Sequence, residues 1–351
     1  MTELNHFRLL GRSGLRVSPL CLGTMTFGTD WNFGAEKEEC RRIFDLYLER
    51  GGNFIDTANN YTNGTSETFL GEFIGSHREE LVLATKYTLN CRPGDPNAGG
   101  NHRKNMVQSV EASLKRLQTD YIDLYWVHCW EFRTPIEEIM RALDDLVRAG
   151  KILYVAISDA PAWKIAQANT IANLRGWTPF IGLQSEYNLI ERTPERELIP
   201  MAEDFNIGLL PWSPLGGGLL TGKHIDTHKE YLQSPETSTD IARGSLITSR
   251  MNEQNLAICE AVQKIAQEIG HSPAQVSLNW LLQKSSVTSI ILGAKTVKQL
   301  EDNLGCLDFT LTPEQMQYLD EVSQIKLGFP HDFINSEMVK NIVSGGSNIA
   351  S

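Results

Sequence analysis

The chain has 351 residues, with 32 Lys and Arg against 43 Asp and Glu, a formal net charge of −11. Apolar residues at 41% and charged residues at 21% are ordinary globular proportions and exclude wholesale disorder. The acidic balance disfavours nucleic acid and anionic membranes as partners, because both reward positive charge, whereas a small anionic ligand needs only a local basic pocket.

From the N-terminus, two short apolar runs flank Gly11-Arg12-Ser13-Gly14 and read as a β-hairpin. Nearly continuous apolar runs then recur at 19–23, 53–58, 81–86, 122–128, 152–158, 180–184, 207–213 and 289–294. Strands buried on both faces show this pattern. Helical patterns fill the intervals at 36–51, 65–75, 104–118, 135–150, 160–174 and 193–205. Gly51 and Gly150 stand where such helices commonly end. Eight alternations predict an α/β fold, a (β/α)8 TIM barrel.

Length alone suggests about two domains, but barrels of this class often exceed about 250 residues. Residues 214–250 read as a long polar excursion after the seventh barrel strand, and helical segments at 251–269 and 273–284 precede the eighth. An extra helix is expected over 312–325, followed by a Gly/Ser-rich tail. With no composition shift or internal repeat, the expectation is a single domain over 1–351, its core over about 18–326 and its tail over 327–351.

The six cysteines, at 21, 40, 91, 129, 259 and 306, form no CxxC pair and no cluster, so neither a disulfide frame nor a metal site is expected. The N-terminus lacks the apolar core of a signal peptide, and no apolar stretch is long enough to span a membrane. A soluble cytoplasmic protein is expected. A homo-oligomer is left open.

Active sites of such barrels gather at the C-terminal ends of the strands. The second strand ends at Asp56, the third at Lys86 and the fourth at His128, with Tyr61 just past the second. Singly, each is an ordinary rim residue; together they suit proton transfer to a carbonyl. A phenol has a pKa of about 10, and an ammonium about 4 Å away stabilises its phenolate by up to about 4 kcal/mol at an effective dielectric near 20. The phenol is thus expected to drop by at most about three units, towards the optimum for a general acid. Asp56 would keep Lys86 charged, and His128 would hold the substrate oxygen. Lys86 as a Schiff-base nucleophile is the competing chemistry, but it requires a neutral amine, which a neighbouring Asp56 opposes.

No GxGxxG fingerprint follows any strand, so a Rossmann fold is not indicated. Ser213-Pro214-Leu215-Gly216-Gly217-Gly218 follows the seventh strand, where exposed amides can wrap an anion. Gly293-Ala294-Lys295-Thr296 follows the eighth and leads into a helix N-terminus. Loops after strands seven and eight are the usual phosphate site of these barrels, and Lys223, Arg243 and Lys295 add positive charge there.

At this point the chain resembles the aldo-keto reductase family over nearly its whole length. The motifs that carry the resemblance are LCLGTMTFG (20–28), GGNFIDTANNY (51–61), LATKY (83–87), DLYWVH (123–128), LQSEYNLI (183–190), PWSPLGGGLLTGK (211–223) and LGAKTVKQLEDNLG (292–305). The pattern is most similar to the potassium-channel β-subunit-like and aryl-alcohol-dehydrogenase-like branch. The resemblance implies an oxidoreductase that binds NADPH without a Rossmann fold and reduces aldehydes or ketones to alcohols.

Carried across by position, it makes Tyr61 the proton donor, tuned by Lys86 and Asp56, with His128 orienting the carbonyl. Trp212 would stack on the nicotinamide, Ser158, Asp159 and Gln184 would lie at its carboxamide, and Gly23, Thr24 and Met25 would line it. Ser213, Leu215 and Gly217 resemble the pyrophosphate loop, and Lys223 and Arg243 would close over the cofactor. Lys295, Thr296 and Gln299 correspond to the 2′-phosphate region, Asp302 and Asn303 to adenine contacts. Asp159 stands where many members carry Asn, and Asp302 where Glu is more usual.

The rival function is a cofactor-sensing binding protein like channel β-subunits. His128 favours the enzyme, because those relatives usually carry Asn there. Trp31, Phe33, Trp130 and Phe132 fall on loops expected to overhang the pocket mouth, which suits an aromatic or hydrophobic aldehyde, although aromatic platforms also bind sugars. Leu327 to Phe333 is expected to close the pocket from the C-terminal side.

Overall fold

The eight apolar runs become eight parallel strands in a computed structural model that describes residues 3–233 and 249–347. A hairpin of β1 (Arg8–Leu9) and β2 (Arg16–Val17) precedes them, pairing Arg8 with Val17. The barrel strands are β3 (Leu20–Gly23), β4 (Phe54–Asp56), β5 (Val82–Tyr87), β6 (Ile122–Val127), β7 (Ile152–Ser158), β8 (Phe180–Glu186), β9 (Gly208–Trp212) and β10 (Ile290–Gly293). They neighbour one another in chain order, and β10 returns to pair with β3. The ring meets itself at a seam where Leu209 pairs with Val287 and Thr288 N–H donates to Leu209 O at 2.8 Å. The structure is therefore the (β/α)8 barrel that the alternation predicts.

Alternate residues of a strand face opposite sides. One series points inward, and Phe54, Val82, Ala84, Leu124, Trp126, Ala156 and Leu210 pack the barrel interior, joined from the hairpin by Leu10 and Val17. Gly182 faces this packing too. A Cβ there would lie 3.2 Å from the Trp126 ring and 3.3 Å from Ala156 Cβ, so a side chain would compete with the interior tryptophan. The other series packs outward against the helices in a larger cluster that includes Ile55, Leu83, Tyr125, Val127 and Ile157.

The helices between the strands are α1 (Lys37–Glu49), α2 (Thr65–Ile74), α3 (Arg103–Leu117), α4 (Ile136–Arg148), α5 (Ala162–Arg175) and α6 (Leu198–Asp204). In α4, Ile136, Ile139, Met140 and Leu143 follow the i, i+3, i+4, i+7 spacing and are all buried. Gly51 and Gly150 adopt left-handed φ of 83° and 69°, as expected of helix-ending glycines. After β9 come α7 (Ile225–Gln233), α8 (Glu253–Ile269) and α9 (Pro273–Leu282). Then α10 (Val297–Leu304) and α11 (Pro313–Val322) follow β10, and α12 (His331–Ile334) and α13 (Glu337–Ser344) end the described chain.

Two segments differ from expectation. The polar excursion contains α7, a helix with Ile225 buried and its length packed along α8. The tail contains α12 and α13, the latter started by Ser336, whose side chain accepts from Val339 N–H. Both helices are short and flanked by Gly and Ser, and that composition hides them. All six cysteines are free thiols. Among the described residues, no helix is long and apolar enough to cross a membrane.

Candidate active site

The inward series that fills the barrel ends, at the C-terminal rim, in Asp56, Lys86, Ser158, Gln184 and Trp212, with His128 one residue past β6. Packing and chemistry are thus the bottom and top of one ladder of alternate residues. Lys86 is its centre. Its ammonium is buried and donates to the Asp56 carboxylate, to Thr57 O at 3.0 Å and to Tyr61 Oη at 2.9 Å. Asp56 is held from its other oxygen by Gln184 Nε2 at 2.7 Å. All three ammonium donors of Lys86 are therefore used, which fixes the phenol relative to the strands.

Tyr61 arrives from outside the sheet, on a turn over Tyr61–Gly64 in which Thr62 and Asn63 take left-handed φ of 44° and 55°. Hydroxyls hold this turn. Thr62 Oγ1 donates to Phe27 O at 2.6 Å, and Ser66 Oγ lies within 2.9 Å of the Thr24 and Thr57 hydroxyls. The Tyr61 ring meets the His128 ring edge-on, with centroids 5.9 Å apart at 79°. Sequence reading missed Thr57, Thr62 and Ser66; lone hydroxyl residues around the GGNFIDTANNY motif carry no spacing signal.

Burial changes the electrostatics expected from charge alone. Desolvation holds the Tyr61 phenol above its ordinary value; Lys86 pulls it down, but Asp56 opposes Lys86. The expected drop in the phenol pKa is not found, and Tyr61 is fully protonated at neutral pH, the form a proton donor requires. For Lys86, burial works against the charge, yet Asp56 and Tyr61 outweigh it and carry its pKa above the ordinary lysine range. Desolvation also pushes Asp56 up, against the pull of Lys86 and Gln184. His128 is pushed down to about 3, first by burial and then by Lys86, so its imidazole is neutral.

This depressed imidazole has a measurable consequence. Between about pH 6.5 and 3 the unfolded chain binds a proton at His128 that the folded chain does not, so stability falls as pH falls through that window. In urea denaturation, a His128→Asn variant is expected to lose less stability than wild type over that window, by at most about 5 kcal/mol. Parallel pH dependences would show an imidazole that protonates freely in the fold.

Around the tetrad the rim is aromatic. Trp31 lies edge-on to Tyr61 (6.4 Å, 81°) and beside Phe33 (5.9 Å), and its Nε1 donates to Asn63 Oδ1 at 3.3 Å. Trp130 is buried in the shell between strands and helices, so it supports its loop rather than overhanging the mouth. Phe132 does the opposite. It is 63% exposed, at a left-handed φ of 61° that a bulky residue rarely takes. Glu131 holds it there by accepting from Thr134 N–H and Arg133 N–H at 2.9 and 3.1 Å, while Asn101 brackets the loop through Glu131 N–H and Cys129 O. In the segment from Leu327 to Phe333, Phe329 is exposed and His331 Nε2 lies 3.0 Å from Glu197 Oε1.

On the opposite side of the mouth, Asp159 takes a left-handed φ of 44° and accepts from Trp212 Nε1 at 3.1 Å, fixing the indole edge. Ser158 and Thr24 are buried, and Gly23 ends β3 in register with Asp56. Met25 is exposed on the loop that follows. Beyond Trp212, Ser213, Gly216, Gly217 and Gly218 all have positive φ, and space is open above Gly217 and Gly218. Within this run the amides are engaged by the turn itself: Gly216 N–H donates to Ser213 O and Gly218 N–H to Leu215 O, both at 2.9 Å, and Gly217 N–H donates to Ser213 Oγ at 3.1 Å, with Pro214 between them. Arg250 Nη2 meets Glu186 Oε1 at 2.6 Å on the same rim, a pair that no motif announced.

At the end of β10, Gly293 leads to Lys295, whose Nζ lies 5.3 Å above the Phe33 ring. Thr296 caps α10, accepting from Gln299 N–H, while the Gln299 side chain turns back to Lys295 N–H at 2.7 Å. Asp302 accepts from Ser272 Oγ at 3.1 Å and Gln275 Nε2 at 3.2 Å, joining α10 to α9, and Asn303 is buried. Gln299 and Asp302 therefore also serve the frame of the rim. Lys223 is exposed past the glycine run, and Arg243 lies outside the described residues. The open space above Gly217 and Gly218, the half-buried Trp212 and the capped N-terminus of α10 follow the ends of β9 and β10, where an anionic group would meet a helix N-terminus.

Comparison with known proteins agrees with this geometry. The family model described as "Aldo/keto reductase family" matches residues 19–324. A norsolorinic acid reductase of Emericella nidulans is 39% identical over 342 residues, covering 94% of this chain and 85% of the relative. An NADP(+) aryl-alcohol dehydrogenase of Phanerodontia chrysosporium is 37% identical over 356 residues, covering 96% and 91%. An aldo-keto reductase of Aspergillus calidoustus is 34% identical over 348 residues, covering 95% and 86%. The chain belongs to the aldo/keto reductase family and is an oxidoreductase acting on carbonyl and alcohol groups.

Proposed function

We propose that this oxidoreductase reduces aromatic aldehydes or ketones to alcohols with NADPH, with Tyr61 as general acid. One observation carries the reading: Lys86 joins Asp56 and Tyr61 in a single buried cluster, beside a neutral imidazole. When bound, NADPH supplies the hydride. Tyr61 Oη gives its proton to the carbonyl oxygen as negative charge develops there, and the Lys86 ammonium stabilises the phenolate left behind. Asp56 keeps Lys86 charged and in place, and His128, uncharged, orients the carbonyl by a hydrogen bond without competing as the acid.

Trp31, Phe33 and the exposed Phe132 support an aromatic substrate, since flat faces around a carbonyl site favour flat ligands. Names of relatives point the same way: aryl-alcohol dehydrogenase and norsolorinic acid reductase. The test is NADPH oxidation against a panel of aromatic and aliphatic aldehydes, ketones and oxidised sugars. Turnover is expected with lower KM for the aromatic members. No turnover across the panel would favour a protein that binds the cofactor and senses its state.

Preference for NADPH over NADH rests on Lys295, which the reading places at the 2′-phosphate. Lys295→Ala is expected to lower the ratio of NADPH to NADH affinity by about tenfold, as for one lost charge-assisted contact. Fluorescence titration of both cofactors measures it, and an unchanged ratio removes the assignment.

A further inference from the structure

The tail beyond α11 carries an apolar face that the rest of the described chain leaves in water. In α13, Met338 and Ile342 form one i, i+4 pair and Val339 and Val343 another, so four apolar residues share one side. Glu337, Lys340, Asn341 and Ser344 occupy the remainder. No residue of α13 is buried. Phe329, Phe333 and Ile334, just before it, are exposed as well, and with Met338, Ile342 and Val343 they are between 52% and 86% exposed.

We propose that this face is a two-fold dimer interface, covered by the same face of a second copy of the chain. Three observations support that occupant. First, an isolated helix of eight residues does not persist in water and draws its stability from packing its apolar side, so α13 needs a partner. Second, the six exposed side chains present on the order of 700 Å² per copy, more than monomers usually expose and close to the roughly 800 Å² per partner of a stable interface. A self-complementary face supplies both halves at once. Third, Lys326 and Lys340 balance Asp332 and Glu337 along the tail, so two copies meet without local charge repulsion. That balance, in a chain of net charge −11, offers no basic surface to anionic lipid.

The base of the tail is anchored on the barrel. Arg196 Nη2 donates to Lys326 O at 2.9 Å, and His331 meets Glu197. The face is thereby presented at a defined place.

Sedimentation velocity of the full chain tests the proposal. Wild type is expected to run as a dimer at micromolar concentration. Met338→Glu and Ile342→Glu are expected to run as monomers, with dissociation constants raised about 100-fold or more and with turnover unchanged. Leu174→Glu, at an equally exposed position on α5, is expected to remain dimeric. A monomeric wild type overturns the proposal, as does a dimer that survives both tail substitutions. Co-sedimentation of monomeric wild type with phosphatidylcholine–phosphatidylserine vesicles, lost in Ile342→Glu, overturns it in favour of a lipid surface.

Discussion

Replacing Tyr61 by Phe is expected to lower kcat for carbonyl reduction by about 10³-fold while leaving the Kd for NADPH within about twofold. The substitution removes one oxygen from a site that is otherwise self-supporting. Lys86 keeps Asp56 and Thr57 O as partners, and the ring keeps its edge-on neighbours Trp31 and His128. What disappears is the hydroxyl that the Lys86 ammonium meets. Loss of an interaction made only in the transition state lowers kcat and kcat/KM together, whereas loss of uniform binding raises KM alone. A Tyr61→Phe variant with near-wild-type kcat would remove Tyr61 as the acid and move attention to His128.

Lys86→Met is expected to have the second large effect, on stability as well as on activity. Lys86 and Asp56 are both buried, and removing one member of a buried pair leaves the other charged and unpaired, which typically costs about 3–5 kcal/mol. The double variant Asp56→Asn, Lys86→Met is expected to regain most of that stability and none of the activity. Urea denaturation alongside kcat/KM separates the two effects. If both single variants keep wild-type stability, the pair is solvated in the working protein. Because the folded Lys86 pKa is raised, its stabilisation is fully present below the ordinary lysine value of about 10.4 and is lost only as pH rises above it.

Sequence carried the barrel because its strands are buried on both faces, which writes each as an apolar run whatever helix precedes it. Asp56, Lys86 and His128 were legible for the same reason: polar residues that end such runs have one place to point. The helices missed were those whose apolar face meets something remote in sequence, as α7 meets α8, or meets nothing within the described chain, as α13. The sign of the Tyr61 shift was lost for a physical reason. A neighbouring charge can be guessed from a motif, but desolvation depends on everything packed above the phenol. Gln184 on Asp56, and Asp159 on Trp212, join residues 128 and 53 positions apart, and no local pattern announces such bonds.

The seam of the barrel has a consequence for synthesis. β10 begins at Ile290, yet it is the strand beside β3, the first of the ring, and the Thr288–Leu209 bond brings the other side together just before it. Until about residue 293 has left the ribosome, β3 and β9 are both unpaired edges, one of them 270 residues old. Unpaired strands of this apolar character invite other chains. A translational pause or stop codon shortly before 288 is therefore worse than one after 312: the first releases an open, adhesive sheet, the second a closed ring missing only its outer helices.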